Sequence, residues 1–381
     1  MGARRGTLTS LRVGVNARLL SSPDVRGFNR YAAELVRALA GTGAVELVLF
    51  SDSPIHERHA LAGIASVVEM VKPQWLWQHR WLPAALRRER IDVFHAPAHW
   101  GVPWHPPCAV VATIHDLADR ELPDLRRSAG FRVSARHALE QGLVVRRARR
   151  IIAVSQWTAR SIQKYLGVAP ERIAVTVEGA APLFDEPVEP SRIADVRRAC
   201  GLDGPYFLYV GGFEARKNLG AFVGALAATP PERRVPVALV GDGGAAAEAL
   251  LRQAEEAGVG PWLRFLGGVD DTRLAALYAG ALAVVLPSWL EGFGLPVVEA
   301  MHVGTPCLVS TAGALPEIAG DAGIAFPPDD HAAMAQALQR LASDPALRAD
   351  LAARARARAP LYTWQRAAEQ TVAVYQRAVS A

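Results

Sequence analysis

The chain has 381 residues, of which 51% are hydrophobic and 21% are charged, and its net charge is +5. This balance is typical of a globular protein with a sizeable core, and it excludes a disordered or collagen-like chain. The three cysteines are far apart and form no CxxC pair, which argues against a zinc site or disulfide framework and favours a reduced, cytosolic protein. The sequence predicts neither a signal peptide nor a membrane span.

Short β-branched runs alternate with helical patterns along nearly the whole chain. Several of these runs are apolar on both faces, as buried parallel strands are when helices cover both sides of a sheet. The predicted strands are Leu11–Val15, Val45–Phe50, Val67–Val71, Ile91–His95, Ala109–Ile114, Ile151–Val154, Ile173–Val177, Tyr206–Val210, Val235–Val240, Arg264–Leu266, Ala281–Leu286, Cys307–Ser310 and Ile324–Phe326. This alternation predicts an α/β fold of doubly wound units.

A proline- and acid-rich segment at residues 181–192 interrupts the pattern and predicts a domain boundary. We expect an N-terminal Rossmann-like domain over residues 1–185 and a second such domain over residues 186–360, facing each other across a ligand-binding cleft. The first carries 25 Lys and Arg against 16 Asp and Glu, a net charge of +9, and the rest of the chain has 17 against 21, a net charge of −4. Residues 361–381, after the helix-breaking Pro360, form an amphipathic helix expected to pack back on the first domain.

The segment after the predicted strand that ends at Leu286 combines glycines with two carboxylates. Gly292 and Gly294 permit a close backbone approach to a ligand, and the start of the following helix suits an anion. Glu291 and Glu299 are eight positions apart, and beside an anion site they are best explained as acceptors for sugar hydroxyls. The alternative is that Glu299 faces solvent and the glycines only end a strand.

A second candidate site follows the strand Tyr206–Val210. This strand ends in Gly211 and Gly212, and the adjacent cations Arg216 and Lys217 precede the next helix. Two cations at the end of a strand can neutralise a diphosphate and stabilise charge on a leaving group. The alternative is a solvated basic turn, although Lys217 is one of only three lysines in the chain.

Two further candidates lie in the first half. Gly27, in the loop after the first strand, could let the backbone pass beneath a phosphate, although the absence of GxGxxG argues against a dinucleotide site. His115 follows a predicted strand and could bind a sugar hydroxyl, or it could be a structural histidine. The spaced pairs His56/His59 and His95/His99 are assigned to loops without a third ligand, and no Asp-x-Asp pair is present, so we predict no metal site.

Together, these motifs resemble the group 1, or family 4, retaining glycosyltransferases of GT-B architecture. The resemblance extends over nearly the whole chain, and its most specific element is the E-x7-E spacing from Glu291 to Glu299. The motifs are RGFNRYAAEL, IDVFHAP, ATIHDL, IIAVSQWTARSI, YVGGFEARKN, ALVGDG, FLGGV, LPSWLEGFGLPVVEAM and GTPCLVS.

The resemblance implies a role for each matching residue. Glu299 would hold the nucleotide ribose, while Glu291 and the backbone of Gly292, Phe293, Gly294 and Leu295 would hold the donor sugar and phosphate. Arg216 and Lys217 would bind the diphosphate after Gly211 and Gly212. In the N-terminal, acceptor-side domain, His115 would contact the transferred sugar and Gly27 would lie near the donor phosphates. Asn29 departs from a glycine that is common in the family, which weakens the expected phosphate contact there.

The resemblance also implies a reaction. The family transfers a hexose on the same face of the sugar, and the leaving diphosphate accepts the acceptor's proton. Because no Asp-x-Asp pair is present to hold Mg²⁺ on a diphosphate, Arg216 and Lys217 would take that role, and we expect no metal or other cofactor. The RKN form is similar to bacterial mannosyltransferase-like members that build surface polysaccharide, which favours GDP-mannose over a UDP-sugar donor. The acceptor would be a saccharide or a polyprenol-linked saccharide.

Residues 126–150 carry eight Arg and one Glu, and Trp75, Trp77 and Trp81 lie on a nearby segment. Such residues are typical of peripheral contact with an anionic membrane, here the cytoplasmic face of the inner membrane. The alternative is a solvated Arg face and core tryptophans.

Three rival functions fit the sequence less well. A GT-B epimerase would need carboxylates placed for elimination, and a periplasmic binding protein would need an export signal. A nucleic-acid binder would need a recognition module around the Arg-rich segment, so we expect no nucleic acid partner.

Overall fold

The computed structural model describes residues 10–23, 27–59, 61–122 and 131–380, without the side chains of residues 131–134. The chain forms two compact units. The first consists of Met1–Glu178 together with Trp364–Ala381, and the second of Gly179–Thr363.

Every predicted strand is present in the described residues, and two of them have the predicted bounds. The strands are β1 (Leu11–Asn16), β2 (Val45–Ser51), β3 (Ala65–Val68), β4 (Val93–Ala96), β5 (Ala109–Ile114), β6 (Arg150–Ala153), β7 (Ile173–Val175), β8 (Phe207–Val210), β9 (Val237–Val240), β10 (Leu263–Gly267), β11 (Val284–Leu286), β12 (Cys307–Ser310) and β13 (Gly323–Phe326). The first unit contains a parallel sheet in the order β3-β2-β1-β4-β5-β6-β7, and the second a parallel sheet in the order β10-β9-β8-β11-β12-β13. Both orders are doubly wound, which confirms the predicted fold class.

Helices connect these strands. They are α1 (Gly27–Thr42), α2 (Gln74–Leu76), α3 (Leu82–Arg88), α4 (Ala118–Glu121), α5 (Phe131–Arg147), α6 (Gln156–Leu166), α7 (Pro190–Ala199), α8 (Gly220–Ala227), α9 (Gly244–Glu256), α10 (Asp271–Gly280), α11 (Leu295–Val303), α12 (Leu315–Ala319), α13 (His331–Ser343), α14 (Pro345–Arg358) and α15 (Trp364–Val379). A short 3-10 turn at Ala359–Leu361 separates α14 from α15, as Pro360 predicts.

The C-terminal helix α15 packs on the first unit, against α1 and the sheet, as expected. Tyr375 of α15 forms a 2.7 Å hydrogen bond with Nδ1 of His95. The His95 Nε2 atom lies 2.9 Å from the Thr113 hydroxyl, which in turn lies 3.0 Å from the Tyr31 hydroxyl on α1. His95 is a fully buried residue of β4, so the predicted strand Ile91–His95 was right for this residue and its assignment to a loop was wrong.

The chain first passes from the first unit to the second after Glu178, and not after residue 185 as predicted. Residues 179–185 belong to the second unit, because Ala180 pairs with Thr363 and Phe184 is fully buried with its ring 5.7 Å from that of Tyr278. The second crossing lies at Thr363, shortly after the predicted residue 360.

The three tryptophans predicted to contact a membrane surface do not form one exposed face. Trp77 is fully buried in the core of the first unit, and Trp81 is stacked on it with ring centroids 5.4 Å apart. Trp75 alone of the three is largely exposed, at 54%. Residues 126–130 of the Arg-rich stretch lie outside the described residues.

Candidate functional site

The candidate residues of the second unit lie at the carboxyl ends of β8 and β11. These strands are neighbours, but the chain leaves β8 toward β9 on one side and reaches β11 on the other. This is the topological switch point of the sheet, where the loops of an α/β unit diverge and ligands bind. The loop after β8 carries Arg216 and Lys217, and the loop after β11 carries Glu291.

A buried carboxylate joins the two loops. Glu291 is 8% exposed. Its Oε1 atom lies 2.7 Å from Lys217 Nζ and accepts a 2.7 Å hydrogen bond from the Ser288 hydroxyl. Its Oε2 atom lies 3.1 Å from Arg216 Nη1. The two predicted cations are therefore held side by side on a single carboxylate, and Ser288 is a partner that the sequence did not reveal.

The charges around Glu291 determine its protonation. Burial raises the pKa of Glu291, but the Lys217 and Arg216 charges, with hydrogen bonds from Lys217 and Ser288, outweigh burial and lower the pKa from 4.5 to about 2. A pKa that is lower in the folded state stabilises the fold above pH 4.5, and this contribution is lost as the pH falls to about 2.

We expect Glu291→Gln to lower the free energy of unfolding at neutral pH by about 3 kcal/mol, because it removes the charge that compensates two partly buried cations. The difference from the wild type should shrink as the pH falls below 4.5, since the wild type then loses the same contribution. Denaturant unfolding at several pH values measures both effects. The control is Glu248→Gln, which changes an exposed carboxylate 3.9 Å from Arg252. A stability difference that does not depend on pH would contradict this account.

Further contacts fix the loop after β11. Asn218, in the left-handed conformation, donates hydrogen bonds to the carbonyls of Pro287 and Pro328 at 3.0 and 2.7 Å. Gly313, in the loop after β12, has a φ of +67°, and a Cβ there would lie 2.5 Å from the Glu291 carbonyl oxygen. Ala314 donates a 2.9 Å hydrogen bond to that same carbonyl. Neighbouring strands β8, β11 and β12 thus each contribute a loop that positions Glu291.

The predicted glycine loop leads directly into α11. Gly294, with a φ of +115°, precedes the helix, and Leu295 is its first residue. Gly292 and Phe293 are buried, and the Phe293 ring lies 5.9 Å from that of Tyr362. Pro296 has no N–H and Val297 donates to the Gly294 carbonyl, so the helix start offers an anion the Leu295 N–H and a favourable dipole.

The second glutamate does not face solvent. Glu299 lies in α11 and is 4% exposed, and its Oε2 atom accepts a 2.7 Å hydrogen bond from the Tyr278 hydroxyl on α10. Tyr278 was not among the predicted site residues, because nothing in the sequence spacing relates α10 to α11.

Glycines after β8 and β9 lie where a side chain would meet other atoms. A Cβ on Gly211 would lie 2.7 Å from the Tyr209 hydroxyl, and one on Gly212 would meet the Glu214 carboxylate. A Cβ on Gly241, after β9, would lie 1.8 Å from the Gly211 carbonyl oxygen. Gly241 is therefore required for this approach, and it was not among the predicted site residues.

The remaining candidates, His115 and Gly27, lie in the first unit. His115 is buried at the end of β5, with Nδ1 3.2 Å from Glu178 Oε1 and Nε2 3.0 Å from the Pro97 carbonyl oxygen. Protein groups thus contact both ring nitrogens, so a sugar hydroxyl would have to share one of them. Gly27 begins α1 with a φ of +51°, and a Cβ there would have no atom within 4 Å.

Comparison with known proteins identifies the family. Residues 25–179 match the family described as Glycosyltransferase Family 4, and residues 196–358 match Glycosyl transferases group 1. The O-antigen chain mannosyltransferase B of Escherichia coli is 30% identical over 369 residues, which cover 92% of this chain and 95% of that protein. The chain is a group 1 glycosyltransferase of family 4.

Other similarities agree with this family. A D-inositol 3-phosphate glycosyltransferase of Acidothermus cellulolyticus is 29% identical over 354 residues, covering 89% of this glycosyltransferase and 75% of that protein. The solved structure of a sucrose-phosphate synthase from Thermosynechococcus elongatus has a TM-score of 0.77 and 23% identity, with 96% of this chain and 98% of that chain covered. The structural likeness shows the fold, which is GT-B. Among the residues described for this glycosyltransferase, none of the helices combines the length and apolar character that a membrane crossing needs.

We expect Gly313→Ala to lower the activity of this glycosyltransferase at least tenfold, because the new methyl group would displace the Glu291 backbone. The matched control is Gly258→Ala, whose φ of +66° is nearly the same but which has no atom within 4 Å of an added Cβ. Both variants should lose about 1 kcal/mol of stability for the left-handed conformation, and Gly313→Ala should lose more because its methyl group also meets the Glu291 backbone. Steady-state kinetics separates the two effects, and equal activities in the two variants would contradict the role of Gly313.

Proposed function

We propose that this glycosyltransferase transfers mannose from GDP-mannose, with retention of anomeric configuration, to a saccharide or polyprenol-linked saccharide during cell-surface polysaccharide synthesis. The observation that carries the proposal is the pair of cations, Arg216 and Lys217, aligned by buried Glu291 at the switch point of the second unit. Two fixed cations suit a diphosphate, whose charge increases when the sugar leaves.

The other residues of the second unit supply the rest of a nucleotide-sugar site. The loop that leads into α11 would bind a phosphate through backbone N–H groups, and Glu299 would accept hydrogen bonds from the ribose. Glu291 uses three of roughly four acceptor positions for Lys217, Arg216 and Ser288, which leaves room for one hydroxyl of the donor sugar.

In the proposed reaction the bond between the sugar C1 atom and the leaving phosphate oxygen breaks, and the acceptor oxygen bonds to C1 on the same face. The acceptor proton passes to the leaving phosphate oxygen. Arg216 and Lys217 stabilise the diphosphate, so the reaction requires no metal ion. The protein's part is positioning and charge stabilisation.

Support for a mannosyl donor comes from the similarity to the O-antigen chain mannosyltransferase B, which extends over 92% of this chain. A UDP-sugar is the alternative donor. On the acceptor side, peripheral contact with an anionic membrane on the cytoplasmic side is supported by the net charge of +9 over residues 1–185, the exposed Trp75, and the exposed Arg136, Arg146 and Arg147 of α5.

The test is turnover of purified protein with GDP-mannose and with UDP-glucose, on saccharide and polyprenyl-diphosphate-linked saccharide acceptors, with and without EDTA. We expect transfer from GDP-mannose that EDTA does not abolish, and a product with the anomeric configuration of the donor by NMR. Transfer only from the UDP-sugar would overturn the donor assignment, and an inverted product would overturn retention. An epimer formed from the donor alone would support the epimerase instead.

Sedimentation with anionic vesicles at physiological salt tests membrane contact, and no binding would reject it.

A further inference from the structure

Protein groups contact both ring nitrogens of His115, and two aromatic rings lie beside its imidazole. Its Nδ1 atom lies 3.2 Å from Glu178 Oε1, and its Nε2 atom lies 3.0 Å from the Pro97 carbonyl oxygen. The side chains of His115 and Glu178 are 8% and 5% exposed. The rings of Phe28 and Tyr31 lie 4.6 and 4.5 Å from the imidazole, and Thr158 donates a hydrogen bond to the His115 carbonyl.

The chemistry of the two partners restricts the protons on this ring. A backbone carbonyl can only accept, so Nε2 must carry a hydrogen. Opposite Nδ1, either the ring donates to the Glu178 carboxylate or a protonated Glu178 donates to the ring. Both arrangements contain one proton more than a neutral imidazole and a carboxylate. A ring protonated only on Nδ1 would place the Nε2 lone pair against the Pro97 oxygen.

The two neighbouring histidines do not supply a charge that compensates the Glu178 carboxylate. Burial lowers the pKa of His95 to about 3 and that of His99 to about 4, so both rings are neutral near pH 7. His95 differs from His115 in its partners, because the Tyr375 and Thr113 hydroxyls can donate as well as accept. A buried carboxylate without a compensating proton or cation is costly, which favours the electrically neutral His115–Glu178 pair.

We propose that Glu178 is a positioning residue that shares a second proton with His115 and so makes the imidazole a rigid hydrogen-bond donor. The inference rests on the proposed glycosyl transfer and on the role that the family resemblance implies for His115, which is contact with the transferred sugar. A sugar hydroxyl would then accept a hydrogen bond from the same Nε2–H group that now lies against the Pro97 carbonyl. His115 would therefore donate to the sugar rather than accept from it.

The protonation is tested by NMR of protein labelled with ¹⁵N at the histidine rings, with His115→Asn used to assign the signals. We expect both His115 nitrogens to carry hydrogen in the wild type, because their partners are a carboxylate and a backbone carbonyl. In Glu178→Gln the side-chain amide can donate to Nδ1, so Nδ1 should lose its hydrogen while the contact survives. His95 provides the reference for a neutral ring, and His302 must be assigned separately because its partners are the Asp185 carboxylate and the Tyr362 carbonyl. A wild-type His115 with one bare nitrogen would overturn the proposal.

The role is tested by kinetics on the same variant. Glu178→Gln should lower kcat about tenfold, with a change in donor KM of less than about twofold, because the charge-assisted hydrogen bond is lost and the geometry is kept. The matched control is Glu121→Gln in the same unit, where the carboxylate contacts Ser161 and Trp157. Unchanged kcat in Glu178→Gln would overturn the positioning role. An inactive wild type would instead refute the proposed function, while the NMR result would still decide the shared proton.

Discussion

Lys217→Ala should lower the rate of the chemical step about a hundredfold to a thousandfold while leaving nucleotide binding nearly unchanged. Lys217 Nζ lies 2.7 Å from Glu291 and its side chain is only 14% exposed, so its charge is fixed in a partly desolvated position. A donor fixed before the reaction contributes most where charge develops, in this case on the leaving diphosphate. Arg216 keeps the carboxylate paired in the variant, so the site should retain its shape.

Single-turnover kinetics and a nucleotide titration separate the two quantities for Lys217→Ala. The control is Lys164→Ala, which removes another of the three lysines at an exposed position beside Tyr165. If Lys217→Ala weakened nucleotide binding as much as it slowed transfer, the Lys217 charge would stabilise the bound nucleotide and not specifically the transition state. The assigned role in the chemical step would then be wrong.

Glu299→Ala should mainly weaken nucleotide binding, in contrast to Lys217→Ala, which should mainly slow the chemical step. We expect the dissociation constant of the nucleoside diphosphate to rise about tenfold to a hundredfold, since hydrogen bonds to a charged group contribute roughly 1.5–3 kcal/mol. The carboxylate is 4% exposed and oriented by the Tyr278 hydroxyl, so its acceptor atoms are fixed before the ribose arrives. The rate constant of transfer from bound donor should change little.

Tyr278→Phe is the matched variant for Glu299, because it removes only the hydroxyl group that orients the carboxylate. It should weaken nucleotide binding in the same direction by a smaller factor. Calorimetric titration with the diphosphate measures both variants. Intact nucleotide affinity in Glu299→Ala would exclude the ribose contact.

The sequence predicted the sheets well because buried parallel strands have a strong local signature. The runs Ala109–Ile114 and Cys307–Ser310 are fully buried strands with the predicted bounds. The edge strand β3 lies two residues before its predicted start, at Ala65–Val68, and its residues are largely exposed, so apolar character does not fix its position. Pro182 and Pro187 marked a break in the pattern, but the crossing at Glu178 depends on the tertiary packing of Phe184.

The candidate site was predictable only in part. The motifs identified Arg216, Lys217 and Glu291 individually, because cations and carboxylates near glycines are a local feature. That one carboxylate pairs with both cations depends on the adjacency of β8 and β11, which are separated by about seventy residues in the chain. Tyr278, Gly313 and Glu178 were missed for the same reason, since each acts through a contact with a distant segment.

The most direct test of the donor site in the second unit is a thermal-shift measurement with GDP, UDP and ADP, with and without EDTA, on the wild type and Glu299→Ala. A ligand at a hundred times its dissociation constant stabilises a fold by about 2.7 kcal/mol, which gives a clear rise in melting temperature. We expect a rise with GDP that EDTA does not change and that Glu299→Ala reduces. No rise with any of the three nucleotides would contradict the donor site and the sugar transfer proposed from it.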